Sequence, residues 1–130
     1  MAIDKQFNKY KSLLERYSLT NYGDDEVNYA NRPIAFLDLA ADEQSKLVEY
    51  CTQSFIHRVS PNHNWSSYGL KHFFENEEPN SFYVLNGQFK GAMLIAGFFP
   101  VATETLNWFY CISQKSPALV QHNKLIVKRV

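Results

Sequence analysis

A chain of 130 residues, 45% hydrophobic and 15% aromatic, has the size and apolar content of one folded domain and excludes a disordered tail. Its 13 Lys+Arg are matched by 13 Asp+Glu, so the basic excess with which duplex-DNA binders neutralise phosphates is missing. Cys51 and Cys111 show no CxxC spacing, and neither a signal peptide nor a membrane-length apolar run is present; the chain reads as cytoplasmic, with no membrane partner.

Ile3, Phe7, Tyr10, Leu14 and Tyr17 recur at steps of three and four, which predicts an amphipathic helix within residues 1–20. Its narrow stripe suits packing on the domain or on a second copy, so a homodimer is one expectation. Asn21 to Asn31, with Gly23-Asp24-Asp25, reads as a loop. After the short apolar run Pro33 to Leu37, Asp38 is placed to cap a helix from about Ala40 to Arg58. Leu47, Val48, Cys51 and Phe55 form its inner face, and Ser60-Pro61-Asn62 is its stop.

Ser66 or Ser67 is expected to cap the next helix, with Leu70, Phe73 and Phe74 inward and Lys71, His72 and Glu75 outward. Residues 76–80 form a loop and 82–85 an extended segment. Asn86 then caps a helix to about Ala96, and Gly97 supplies a left-handed end. Phe98-Phe99-Pro100-Val101 and Leu106 to Ile112 read as a hairpin. In its second arm Leu106, Trp108, Tyr110 and Ile112 alternate with Asn107, Phe109, Cys111 and Ser113 at the period of a half-buried strand. Residues 114–130 read as a tail or strand, with Lys124 to Val130 β-prone and basic.

This order predicts an α+β fold: a mostly helical, winged-helix-turn-helix-like domain over 33–113, with a C-terminal β-hairpin and an extra N-terminal helix. Catalytic motifs are absent: there is no P-loop, GxSxG, HExxH or paired-carboxylate pattern. Cys51, His57, His63 and His72 lack the close ligand pairs of a zinc site, so neither a metal nor another cofactor is expected.

For nucleic acid, the helix from Asn86 to Ala96 is the candidate recognition element, with Asn86, Gln88 and Lys90 at its start and Gly91 allowing close approach of a backbone. Its apolar second half points away from a major-groove reader and towards single strands, where stacked rings add sequence-tolerant energy. The candidate rings are Trp65, Tyr68, Tyr83, Trp108 and Tyr110. The candidate phosphate partners are Lys71, Lys90, Lys115, Lys124, Lys128 and Arg129. The proposed contact set is Lys71, Asn86, Gln88, Lys90, Tyr68, Tyr83 and Trp108.

An opposite reading uses the acidic stretch Asp24, Asp25, Glu26, Asp38, Asp42, Glu43 and Glu49, interrupted only by Arg32 and Lys46. The stretch reads either as a solvated face or, in this alternative, as a docking surface for a basic protein, as in an element-encoded inhibitor of a host defence protein.

Ser67-Tyr68-Gly69-Leu70-Lys71-His72, followed by Tyr83-Val84-Leu85-Asn86-Gly87-Gln88-Phe89-Lys90-Gly91-Ala92-Met93, resembles small proteins carried by Gram-positive phages and staphylococcal cassette elements. These include winged-helix single-stranded-DNA-binding proteins encoded beside cassette replication genes. The resemblance spans roughly residues 66–112, and carries over no residue-level site. It implies a role in replication or maintenance of a mobile genetic element, with single-stranded DNA and a replication or defence protein as the expected partners.

Overall fold

The computed structural model describes residues 5–18, 28–77, 79 and 81–128, without the side chains of 124–128. A 3-10 turn, Gln6–Tyr10, leads into helix α1 (Lys11–Tyr17), and a second 3-10 helix covers Pro33–Asp38. Then come α2 (Ala41–Ser54), strand β1 (His57–Asn62), α3 (Ser67–Glu75), α4 (Asn86–Ile95), strand β2 (Tyr110–Ile112) and α5 (Pro117–Lys128). The fold is α+β, its two strands forming one antiparallel sheet.

One buried cluster unites these elements. Leu14 of α1, Phe36 of the second 3-10 helix, Leu47 and Cys51 of α2, Leu70 and Phe74 of α3, Phe89 and Met93 of α4, Tyr110 and Ile112 of β2, and Leu119 of α5 all belong to it. The expected segments 1–20, 33–113 and 114–130 therefore meet in a single core. Phe7, Tyr10 and Tyr17 pack against that core too, so the N-terminal stripe is spent on its own domain. Ile3 lies outside the described residues.

The central helix α4 is buried along nearly its whole length, and two glycines explain what covers it. A Cβ on Gly87 would fall 2.2 Å from the Arg32 carbonyl oxygen. One on Gly91 would fall 2.6 Å from the Pro33 oxygen and 2.5 Å from the Phe36 Cβ. Only hydrogen at these two positions lets the chain around Arg32 to Phe36 lie directly on the helix. The backbone that Gly91 admits is the protein's own.

Several local expectations are corrected. Asp38 does not cap α2; it accepts a hydrogen bond from the Tyr29 hydroxyl at 2.6 Å, while the Glu43 carboxylate accepts the Ala40 N–H at 3.0 Å. Helix α2 ends at Ser54, because Phe55 turns extended and buries its ring. Arg58 and Ser60-Pro61-Asn62 then belong to β1. Asn86 is the first residue of α4 rather than its cap, and the Gln88 side chain accepts the Leu85 N–H at 2.8 Å. Gly97 ends that helix at φ +96, as its position suggested.

The hairpin is reduced to a single bridge, Pro100 with Tyr110, plus the Val101 N–H donated to the Phe109 oxygen. Strand β2 takes β1 as its main partner. Of the alternating residues, Trp108, Tyr110 and Ile112 are buried and Leu106 is exposed. The C-terminal segment is helical rather than a β tail, starting at Pro117, whose missing N–H costs nothing at a first helical position.

Candidate functional site

The seven expected contact residues divide into two groups. Asn86, Gln88, Lys90 and Trp108 go inside. The Ser67 hydroxyl donates to Asn86 Oδ1 at 2.9 Å and accepts the Trp108 N–H at 3.0 Å. The Asn86 amide nitrogen donates to Asn107 Oδ1 at 2.9 Å and to Asn31 Oδ1 at 3.0 Å. Lys90 Nζ donates to the backbone oxygens of Asn31 and Leu106 and lies 4.6 Å from the centre of the Trp108 ring. Burial pulls the Lys90 ammonium down to about 7, because a dry surrounding disfavours its charged form.

This network ties the starts of α3 and α4 to the loops at Asn31 and at Leu106 to Trp108. Trp108 and Lys90 are both 0% exposed, so neither stacks a base nor meets a phosphate. The expected recognition element is corrected for the same reason: the face of α4 that would enter a groove is filled by the chain around Arg32 to Phe36.

Tyr68, Lys71 and Tyr83 come together at the surface. Lys71 Nζ stands 5.1 Å from the centre of the Tyr68 ring and 5.2 Å from that of Tyr83. The rings are 52% and 74% exposed, whereas Lys71, expected to point outward, is 3% exposed. One helical turn along α3, Glu75 holds the ammonium at 3.2 Å. The same carboxylate accepts the Val84 N–H at 2.9 Å and lies 2.8 Å from His72 Nδ1. The Ser81 hydroxyl donates to the Glu75 backbone oxygen at 2.9 Å.

Glu75 thus neutralises Lys71 and pins residues 81–84 against α3, which sets Tyr83 beside Tyr68. Its oxygens are saturated by these partners, so it has no acceptor to spare for a ligand. The result is an aromatic pair with a cation between the rings and the pairing carboxylate below. A cation held against two ring faces is favourable in itself, and it leaves the outer faces and edges of both tyrosines for a ligand. Sequence reading named all three residues but gave no reason to join them. The signal was the Lys71/Glu75 spacing of four, which marks a pair on one helix face.

The other candidate rings are less accessible. Trp65 is half-buried, wedged 4.9 Å from both Phe73 and His122, and Tyr110 is 1% exposed. Of the other candidate cations, Lys115 is exposed, and Lys124, Lys128 and Arg129 fall among residues whose side chains are not described. Asp24, Asp25 and Glu26 also lie outside the described residues. Among the described residues no three His, Cys, Asp or Glu side chains gather as metal ligands, and no helix is long and apolar enough to cross a membrane. Comparison with protein-family models, curated proteins and solved structures returns no match.

Proposed function

We propose that this chain is a non-enzymatic, winged-helix-like binding protein of a mobile genetic element. In this reading it contacts single-stranded nucleic acid through Tyr68 and Tyr83. One observation carries this: two tyrosines, each at least half exposed, stand on either side of a lysine that pairing has immobilised. Such rings stack bases of any identity, worth about 1–3 kcal/mol per base.

The order of elements supports the fold part of the reading. A helix, a strand, two helices, an extended residue at Pro100, a loop and a returning strand follow one another, with β2 between β1 and Pro100. That is the order of a winged helix-turn-helix. Its third helix, the usual duplex reader, is sealed here, which favours single strands over duplex.

The test is an anisotropy titration of labelled oligo-dT and of a duplex of the same length. Binding to the strand over the duplex, weakened at least tenfold in the Y68A/Y83A double variant, is the expected result. Equal binding by that variant removes the reading.

A second reading, docking of a basic protein, is favoured by the exposed carboxylates Asp38, Asp42 and Glu49 along α2 and its approach. It expects no oligonucleotide binding, and a partner whose capture is lost in D42N/E49Q.

A further inference from the structure

The β1–β2 pairing joins two stretches of chain that contain no Asp or Glu, residues 50–74 and 105–130. Together they hold Arg58, Lys71, Lys115, Lys124, Lys128 and Arg129. A chain that is neutral in sum is therefore sorted by charge along its length, and the sheet is where the two cationic stretches meet. Lys71 is taken by Glu75. Arg58 stands in β1 and Lys115 in the turn just after β2, which Ser113 and Ser116 hydrogen-bond to Ile56 at the start of the ribbon; among the described residues neither meets a carboxylate. His57, at the start of β1, and His63, just past its end, are exposed.

The ribbon is shaped as well as charged. His57 pairs with Ile112 and Asn62 with Tyr110, so residues 58–61 stand opposite Cys111 alone and bulge outward. Val59 at the bulge is fully exposed. Arg58 braces it from within: Nε donates to the Ser60 oxygen at 2.9 Å and Nη2 to the Pro61 oxygen at 2.7 Å. Among the described residues the other three of its five guanidinium N–H groups have no partner, which leaves them for an outside acceptor.

Both ends of the bulge are anchored. The Ile56 N–H donates to Ser116 Oγ at 2.9 Å, and Asn62 Nδ2 donates to the Ile112 oxygen at 3.2 Å. The His57 ring lies flat on Phe98, 4.0 Å away and 12° from parallel. At the far end, the Ser67 N–H donates to the Trp108 oxygen at 2.7 Å, so α3 starts beside the ribbon and Tyr68 is its second residue.

We infer that the β1–β2 ribbon is a phosphate track for a single-stranded nucleic acid, with Arg58 and Lys115 as the phosphate partners. The strand runs from the ribbon towards Tyr68. This rests on the single-strand reading above, and adds to it the surface that supplies affinity where the tyrosines supply stacking. A planar, forked donor suits phosphate oxygens, and the stacked His57 ring beside it offers a flat face to a base or sugar. An acidic protein segment would match the charge and leave that ring unused.

The experiment titrates labelled oligo-dT at several salt concentrations against the wild-type chain, R58E/K115E, K115E alone and Y68A/Y83A. Among the described residues the Lys115 side chain makes no hydrogen bond or ion pair that its loss would break, so K115E keeps the test valid if the double variant fails to fold. Each single-strand phosphate contact contributes about 0.7 to the slope of log K against log salt. R58E/K115E is expected to lose at least tenfold in affinity and to flatten the slope by about 1.4, and K115E by about half of that. Y68A/Y83A is expected to lose affinity at unchanged slope.

Unchanged affinity and slope in R58E/K115E and K115E overturn the track, and leave the tyrosine reading standing if Y68A/Y83A still loses binding. A flattened slope with an unaffected tyrosine variant keeps the track and removes the tyrosines. Poly-glutamate competing as well as oligo-dT overturns nucleic acid as the partner class.

Discussion

Lys71 and Glu75, one turn apart on α3, form a buried ion pair at 3.2 Å, with side chains 4% and 14% exposed. The pair is the hinge of the candidate surface, since Glu75 also receives the Val84 N–H that sets Tyr83 in place. Removing one member of such a pair strands the other in a dry site, which costs more than the pair contributes.

Glu75→Gln is therefore expected to destabilise the fold by about 3 kcal/mol in urea denaturation. The double variant Lys71→Met/Glu75→Gln, with no charge left to strand, is expected to be the more stable of the two. If the double variant is the less stable, the ammonium is not the group at stake.

Three glycines would respond differently to the same added methyl. Gly91→Ala puts carbon against the Pro33 oxygen and the Phe36 Cβ, on a short helix that cannot step aside. A loss of about 1–3 kcal/mol is expected. Gly69, inside α3, has only Trp65 Cε3 at 3.4 Å, so Gly69→Ala is expected to stabilise by about 0.5–1 kcal/mol through helix propensity. Gly97→Ala meets no atom but inherits φ +96, costing about 1 kcal/mol. Thermal melts of the three variants check the order 69, 97, 91 from most to least stable.

Lys90 gives the fold a pH dependence with a definite sign. Its folded value of about 7 lies below the ordinary 10.5, so above pH 7 the unfolded chain holds a proton that the folded one has released. Stability then rises with pH from about 7, and is smallest below 7, where the buried amine must carry its charge. Burial raises the Cys51 thiol above its usual 9.0, and that group removes stability once the pH passes 9. The clean window is pH 7 to about 8.5. In Lys90→Met the rise across this window is expected to vanish, as read from urea midpoints at pH 7.0 and 8.5.

Helices α1 to α4 were legible from sequence because their signals are local. The spacing of Leu47 and Cys51, or of Leu70 and Phe74, needs only neighbours one turn away. Strand β1 was not legible, because its partner stands about fifty residues downstream and Ser60-Pro61 is equally good punctuation for a helix end. The run Leu125-Ile126-Val127 reads as strand by residue type, yet Pro117 at the first position was the better guide. Lys90 was misjudged for a further reason. Two backbone oxygens from distant loops accept its hydrogen bonds, and no residue-type rule anticipates carbonyls. At the candidate surface Tyr68, Lys71 and Tyr83 were each singled out from sequence, while their assembly depended on the tether from Glu75 to Val84, which crosses a loop.

The distance in sequence between β1 and β2 also shapes how the protein is made. When His57–Asn62 leaves the ribosome, Tyr110–Ile112 has yet to be added, so the first strand waits unpaired while α3 and α4 emerge. Synthesis at about 5–20 residues per second makes that wait several seconds. Pro61, which has no N–H to donate, makes this strand a poor template for a neighbouring nascent chain. The proline that interrupts the finished ribbon thus also guards the unfinished chain against pairing with its neighbours.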